Sequence, residues 1–199
     1  MSKKENSAKG RIVSAAWELF YEQGYDNTTV DEIVKRSGTS KGSFYHYFDG
    51  KDSLLSSLSY LFDEMYENLQ NCFTKEMSAK EKLIFLNREV FLMIENRISV
   101  DLLSRLLSTQ LITRGERHLL DKNRTYYKLL RSIILEGQQS GELTNDVSAN
   151  DIVKAYALYE RAVMYDWCIC AGDYSLCRYS GELIGRFLDG FCKIYKKYF

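Results

Sequence analysis

Proline does not occur in the 199 residues of this chain. Because proline is the strongest helix breaker, its absence permits long uninterrupted helices but does not prove them. The chain also has no apolar run of about 18 residues, so a membrane-spanning helix is not expected. Lysine plus arginine and aspartate plus glutamate each number 27, so the net charge argues neither for nor against a nucleic-acid partner.

The first ten residues, MSKKENSAKG, lack the apolar core of a secretory signal peptide. We therefore expect the protein to act in the cytoplasm, where its five cysteines stay reduced. Hydrophobic residues make up 45% of the chain, which is enough for a substantial core.

Helical periodicity dominates the chain, and alternating runs rich in Val, Ile and Thr are missing. The pattern predicts an all-α fold of about nine helices. Residues 1–50 are expected to form a domain of three short helices, and residues 51–199 a larger helical body. Breaks between the helices of the body are expected near residues 76–79, 98–101, 113–116, 141–149 and 172–175.

Three short helices and the start of a fourth are predicted in the N-terminal part. The first covers 8–23, where an apolar stripe faces inward and Gly24 ends the helix. Thr29, with a glutamate three residues later, forms a capping box that opens the second helix. A third helix is predicted from Ser40 to about Phe48, followed by a long helix from 51 to about 73.

The third of these helices lies in the segment SKGSFYHYFDGK, and it is predicted to have two different faces. At about 100° per residue, Phe44 and Phe48 lie close together with Tyr47 beside them and anchor the helix. The opposite side presents small or hydrogen-bonding groups, among them Gly42, which lets the backbone approach another surface closely. Two short helices joined by a tight glycine-containing turn are typical of a helix-turn-helix, whose second helix enters the DNA major groove.

Residues 28–34, 37–48 and 51–54 resemble, at fixed spacing, the DNA-binding domain of the TetR family of transcriptional regulators. The resemblance spans about residues 8–56. It implies an all-helical homodimer that represses transcription at a palindromic operator until a small molecule binds the C-terminal body. Thr29, Lys41, Tyr45, Tyr47 and Lys51 match phosphate-contacting positions of that family, and Thr39, Ser40, Gly42, Ser43 and His46 match positions facing the major groove.

Residues 1–55 carry eight basic and eight acidic side chains, so the expected DNA-binding domain is not basic overall. Affinity for DNA must then come from the local placement of donors, to which a basic arm of Lys3, Lys4, Lys9 and Arg11 is expected to add. No catalytic motif is found, neither a nucleophile elbow nor HExxH nor a phosphate loop, and no enzymatic activity is expected.

The body is rich in aromatic residues, which is typical of sites for small hydrophobic or aromatic ligands. For any single one of these residues, ordinary core packing is the better explanation, and a pocket somewhere among the group is expected mainly because the resembling family has one. Glu160 lies in a largely apolar helix, where it would bind a polar ligand group, pair with Arg161 or face solvent, and the sequence does not decide among these. The predicted ligand-binding residues are Tyr60, Tyr66, Phe91, Tyr126, Tyr127, Tyr159, Tyr165 and Trp167.

The last two helices, about 149–171 and 175–197, are the expected dimer surface. Gly181 and Gly185 are four residues apart and would let another helix approach, and a 4-3-4 apolar spacing precedes them. Both patterns also suit packing within one chain, and the family resemblance decides for a dimer. The residues with the 4-3-4 spacing are Ile152, Tyr156, Tyr159 and Val163.

Cys168, Cys170 and Cys177 suggest an alternative, a regulator that responds to thiol oxidation or to a soft metal. Structural zinc sites usually have four ligands, and two cysteines at i and i+2 of a helix point apart. No metal or other cofactor is therefore predicted.

Overall fold

The computed structural model describes residues 7–55, 57–112 and 118–192, apart from the side chains at 58–61 and 118. These residues form ten α-helices and one short 3₁₀-helix without any strand, which confirms the predicted all-α fold. None of the helices described is long and apolar enough to cross a membrane. The α-helices are α1 (Ala8–Gln23), α2 (Val30–Ser37), α3 (Lys41–Tyr47), α4 (Lys51–Leu55), α5 (Leu58–Gln70), α6 (Ala79–Arg97), α7 (Val100–Ile112), α8 (Thr125–Ser140), α9 (Ala149–Ile169) and α10 (Leu176–Asp189).

Internal contacts divide the chain into two compact units. The first unit comprises residues 1–61 and 97–119, and the second comprises 62–96 and 120–199. Helix α7 therefore belongs to the same unit as α1–α4, although α5 and α6 separate them along the chain. The predicted domain boundary after residue 50 stays a prediction.

Local caps set the ends of the first three helices, as predicted. Both halves of the capping box are present, because Thr29 Oγ1 accepts from the Glu32 N–H at 3.2 Å and Glu32 Oε2 accepts from the Thr29 N–H at 2.8 Å. Gly38 ends α2 in the left-handed conformation at φ 61°. Ser40 Oγ then opens α3 by accepting from the Ser43 N–H at 3.0 Å.

The single long helix predicted from 51 to 73 is wrong, since α4 ends at Leu55 and α5 begins at Leu58. The Ser57 N–H bonds to the Leu54 carbonyl at 2.9 Å, three residues back instead of four. The Ser57 hydroxyl also accepts from Trp17 Nε1 at 3.2 Å. A serine bonded in this way to local backbone and to a neighbouring helix interrupts the i to i−4 ladder.

The predicted last helix also ends early, at Asp189. Gly190 follows it, and the Phe191 carbonyl accepts from the Thr144 N–H at 2.8 Å, so this part of the chain pairs with the loop between α8 and α9. Residues 193–197, predicted to be helical, and the predicted break at 113–116 lie outside the described residues.

The second unit is tied together near the N-terminus of α6. The Glu142 carboxylate accepts from the N–H groups of Ala79 and Lys80 at 2.7 and 2.9 Å, which satisfies two otherwise unpaired donors of α6. Gly137 of α8 faces the same point, and a Cβ placed there would lie 2.7 Å from Ala79 Cβ. Helices α6 and α8 therefore approach each other at a position where only glycine fits.

Candidate DNA interface and effector core

The structure confirms that α3 has a buried and an exposed face, but the prediction that Tyr47 helps to anchor the helix is wrong, because its ring points away from the core. Phe44 is fully buried and Phe48 is 6% exposed, and their ring centroids lie 5.8 Å apart. Tyr45 is 55% exposed and Tyr47 is 41% exposed. The helix is therefore anchored by phenylalanines while its tyrosine hydroxyls are available to a partner.

The starts of α2 and α3 carry exposed hydrogen-bonding groups. Thr29 and Ser40 are both N-caps, and Lys41 lies one residue after Ser40. Lys41 Nζ pairs with Asp31 Oδ1 at 2.7 Å, and this hydrogen bond raises the pKa of Lys41. Because both side chains are well exposed, the ammonium can turn toward a phosphate at little cost.

Gly42 has no steric reason inside the chain to be glycine. A Cβ placed on it would meet only Ser40 Oγ, at 3.8 Å, which is ordinary van der Waals contact. The missing side chain instead leaves the exposed backbone of α3 open to close approach from outside.

The remaining predicted groove residues lie beside Gly42 on the same short segment. Thr39 Oγ1 lies 2.8 Å from Ser37 Oγ, and Ser43 is partly exposed. His46 is exposed, and its ring meets the Tyr47 ring edge to face with the two ring centroids 4.7 Å apart.

Lys51 is directed into the protein. Its Nζ donates to the carbonyls of Tyr25 at 2.7 Å and Thr28 at 2.9 Å, and it lies 4.3 Å from the centre of the Tyr25 ring. The family resemblance gave this lysine a phosphate-contacting role. The structure shows that Lys51 also stabilises the turn between α1 and α2 through hydrogen bonds. The sequence did not predict this role, because the hydrogen-bond partners of Lys51 lie more than 20 residues away.

Two members of the predicted basic arm are used within the first unit. Lys9 Nζ lies 5.9 Å from the centre of the Phe48 ring, and Arg11 Nε donates to the Ser37 carbonyl at 3.3 Å. Lys3 and Lys4 lie outside the described residues.

The second unit contains a group of tyrosines around a buried carboxyl. The Tyr126 ring lies 5.0 Å from that of Tyr66 and 4.9 Å from that of Tyr127. Glu160 is only 4% exposed, and its carboxyl accepts from Tyr126 OH at 2.7 Å and from Asn87 Nδ2 at 3.1 Å. Burial raises the pKa of Glu160, and the hydrogen bonds from Tyr126 and Asn87 oppose this shift.

The hydrogen-bond network continues from Asn87 to α10. Ser180 Oγ donates to Asn87 Oδ1 at 2.7 Å, and Tyr159 OH donates to the Ser180 carbonyl at 3.1 Å. Helices α6, α8, α9 and α10 are thus joined through polar groups inside an apolar core. The sequence analysis did not predict roles for Asn87 and Ser180. The only sequence signal for them was that each is a polar residue at an inward-facing position of an amphipathic helix.

The structure answers the question left open for Glu160. The carboxyl faces the interior, and the neighbouring Arg161 donates instead to Tyr127 OH at 3.4 Å. We name Tyr66, Asn87, Tyr126, Tyr127 and Glu160 together the effector core.

The other predicted ligand residues are spread through the second unit. Phe91 is fully buried, and Trp167 is 4% exposed with its Nε1 donating to the Tyr174 carbonyl at 2.9 Å. The Tyr159 ring stacks on Phe187 at 4.8 Å. Tyr165 is 53% exposed, and the side chain of Tyr60 lies outside the described part of the chain.

The apolar residues predicted for the dimer surface pack inside the chain. Ile152 and Tyr156 are fully buried and Val163 is 7% exposed, so their 4-3-4 spacing reflects the internal core. A second stripe on α9 is exposed instead, and we call it the α9 stripe. It consists of Leu158 (50% exposed), Ala162 (exposed), Tyr165 (53%) and Ile169 (66%).

Cys168 lies in α9, Cys170 caps the C-terminal end of that helix, and Cys177 lies in α10. Among the residues that the structure describes, no three His, Cys, Asp or Glu side chains are placed to hold a metal ion. Burial raises the pKa of the Cys170 and Cys177 thiols, and nearby carboxylates raise it further. A raised thiol pKa lowers the fraction of reactive thiolate, so the thiol- or metal-responsive alternative gains no support.

Comparison with known proteins identifies the family. The model of the bacterial regulatory proteins of the tetR family matches residues 12–58, which span α1 to the beginning of α5. The transcriptional regulator QacR of Staphylococcus aureus is 31% identical over 157 residues, covering 75% of this chain and 81% of QacR. This chain belongs to the TetR family of transcriptional regulators. It is therefore a helix-turn-helix DNA-binding regulator and not an enzyme.

Two further TetR-family relatives extend the likeness over the body. The fatty acid metabolism regulator protein of Bacillus subtilis is 28% identical over 134 residues, which cover 67% of this chain and 69% of that protein. The structure of Thermus thermophilus FadR, a TetR-family repressor in complex with lauroyl-CoA, superposes with a TM-score of 0.74. It is 23% identical and covers 96% of this chain and 98% of FadR, which shows a shared fold.

Proposed function

We propose that this protein is a cytoplasmic homodimeric repressor that binds a palindromic operator through α3 and releases it when a small ligand binds the effector core. The observation that carries the DNA-binding part is the outer face of α3. There, exposed hydroxyl groups and an unobstructed glycine backbone lie on a helix anchored by Phe44. Two copies of such a short helix would read half-sites about 34–36 Å apart.

The contacts proposed with the operator follow the positions of these groups. Phosphate oxygens would accept from hydroxyl and ammonium donors at the helix starts and from the exposed tyrosines, and base edges would meet the N-terminal part of α3. The proposed phosphate contacts are Thr29, Lys41, Tyr45 and Tyr47, and the proposed groove contacts are Thr39, Ser40, Gly42, Ser43 and His46. Lys51 would join the phosphate contacts only by breaking its hydrogen bonds to the Tyr25 and Thr28 carbonyls.

A fluorescence titration against DNA from immediately upstream of the protein's own gene tests this proposal. We expect tight binding that weakens steeply with salt and exceeds binding to a scrambled duplex, because phosphate contacts release counterions. Equal binding to both duplexes at every salt concentration would contradict a sequence-specific regulator.

The proposed effector is a small molecule with a hydrophobic or aromatic body. Support comes from the clustered tyrosines of the effector core and from one relative, Thermus thermophilus FadR, whose structure contains lauroyl-CoA. Lauroyl-CoA is therefore the first probe to add to the operator titration. Release of the operator would support an acyl ligand, and unchanged binding would argue against this ligand class. The residues proposed to line the ligand site are Tyr60, Tyr66, Phe91, Tyr126, Tyr127, Tyr159 and Trp167. Tyr165 is no longer among them, because it is 53% exposed on the α9 stripe.

The α9 stripe supports the proposed dimer through the last two helices. Its members recur at spacings of 4, 3 and 4 residues and so follow one side of the helix. Gly181 of the following helix is also exposed, and a Cβ placed there would meet nothing within 4 Å. An exposed apolar stripe on α9 and an unobstructed glycine on α10 both suit close approach by the same helices of a second copy.

Ala162→Arg is expected to weaken this dimer at least about a hundredfold, because it would bury an unpaired charge at the centre of the stripe. Sedimentation equilibrium of the variant and of the wild type measures the change. Leu92→Arg is the matched control, since Leu92 is 44% exposed on α6 and lies outside the stripe. A variant that stays as dimeric as the wild type would place the interface elsewhere.

A further inference from the structure

Arg105 of α7 contacts the turn between α1 and α2. Its Nη2 donates to Asp26 Oδ2 at 2.6 Å, and its guanidinium carbon lies 5.1 Å from the centre of the Tyr25 ring. On its own helix, Arg105 Nε donates to Asp101 Oδ2 at 2.9 Å, which orients the guanidinium. All these residues belong to the first compact unit.

Tyr25 is the centre of this contact. It is 5% exposed, its hydroxyl donates to the Asp52 carboxylate, and burial together with this bond raises its pKa well above the ordinary value. Its carbonyl accepts from Lys51 Nζ. One cation from α4 and one from α7 therefore hold the same turn, each within cation–π distance of the Tyr25 ring.

The position of this turn determines where α2 begins. Thr28 is buried and its hydroxyl donates to the Gly24 carbonyl at 2.8 Å, and Thr29, the next residue, is the N-cap of α2. A rotation of the turn would move the first N–H groups of α2, and with them α3, which packs on α2. We propose that Arg105 is a positioning residue for operator binding, acting from outside the helix-turn-helix by fixing the α1–α2 turn. This inference rests on the proposed function.

The contact involves a helix that is distant from the helix-turn-helix along the chain. Helices α5 and α6 separate α7 from α4. The operator affinity then depends on α7, a helix that the family model does not cover.

Salt dependence separates positioning from direct phosphate contact. A cation that neutralises one phosphate adds about 0.9 to the slope of log affinity against log salt concentration. Arg105 instead has two carboxylate partners within the chain, so its loss should lower operator affinity and leave this slope unchanged. Its pair with Asp26 is partly exposed and contributes little to folding, so the variants should fold normally.

The experiment is a double-mutant cycle on operator affinity with Arg105→Met and Asp26→Asn. We expect Arg105→Met to weaken binding about tenfold in the wild type but about threefold or less in the Asp26→Asn background. The long-range effects of the two charges on DNA add independently, so the non-additive part reports the contact itself. Arg178→Met is the control, because Arg178 pairs with Glu182 on the exposed surface of α10.

Each other outcome overturns the inference. An equal loss of operator affinity in the wild-type and Asp26→Asn backgrounds would show that Arg105 does not act through Asp26. A reduction of about 0.9 in the slope of log affinity against log salt concentration would show that Arg105 contacts a phosphate. Unchanged affinity of Arg105→Met would show that α7 does not position the turn. If the wild type itself bound no operator specifically, the proposed function would fail and this inference with it.

Discussion

Glu160→Ala is expected to lower the free energy of unfolding by about 3 kcal/mol. The substitution leaves the Tyr126 hydroxyl and the Asn87 amide buried without their acceptor, and each such group costs about 1–3 kcal/mol. Urea unfolding of the variant measures this loss. Glu182→Ala is the matched control because Glu182 is an exposed carboxylate of the same unit. A loss below about 0.5 kcal/mol would show that the network is not a stabilising element.

Glu160→Gln tests the charge of this side chain, because glutamine has nearly the same shape as glutamate but cannot ionise. Burial raises the folded-state pKa of Glu160 above the ordinary value of 4.5, so the folded protein binds its proton more tightly than the unfolded chain does. The contribution of Glu160 to the stability of the wild type therefore falls as the pH rises from about 4.5 through the folded-state pKa, and this contribution is constant above it. Glutamine does not titrate, so the stability of the variant relative to the wild type should rise across this window. A difference that is flat with pH would contradict the raised pKa.

Phe44→Ala is expected to lower the free energy of unfolding of the first unit by about 3–5 kcal/mol and to abolish operator binding. Phe44 is fully buried and anchors α3, so its removal leaves a cavity beneath the reading helix. Urea unfolding and the operator titration measure the two effects.

The neighbouring residue provides the control for this prediction. Tyr45→Ala should keep the stability within about 0.5 kcal/mol, since Tyr45 is 55% exposed, and should weaken operator binding about tenfold. Similar losses of stability in both variants would show that α3 does not have one buried and one exposed face.

Local signals explain why the helix-turn-helix was predictable from sequence. Its boundaries depend on Thr29, Ser40, Gly24 and Gly38, whose capping partners lie within four residues along the chain. The break between α4 and α5 was missed because it depends on Ser57 and the indole of Trp17, which lies 40 residues away. Sequence periodicity does not register contacts of this kind.

Helix α9 shows why the apolar stripe predicted for the dimer surface turned out to pack inside the chain. It carries two apolar stripes with the same 4-3-4 spacing, one through Tyr156 and the other through Tyr165. The structure buries Ile152 and Tyr156 of the first stripe completely and leaves Tyr165 of the second 53% exposed. Periodicity identifies an apolar face but not the surface that covers it.

The hydrogen-bond partners of Glu160 could not be predicted from the sequence either, since Tyr126 and Asn87 are 34 and 73 residues away.

The central claim is that the outer face of α3 recognises DNA. The operator affinity of Gly42→Ala tests this claim most directly. The added Cβ meets only Ser40 Oγ at 3.8 Å, so the variant should be as stable as the wild type or up to about 1 kcal/mol more stable. On the operator, the same methyl group would stand between the backbone of α3 and the DNA. We predict at least about a tenfold loss of affinity together with unchanged or higher stability. Undiminished operator binding by a stable Gly42→Ala variant would contradict the claim.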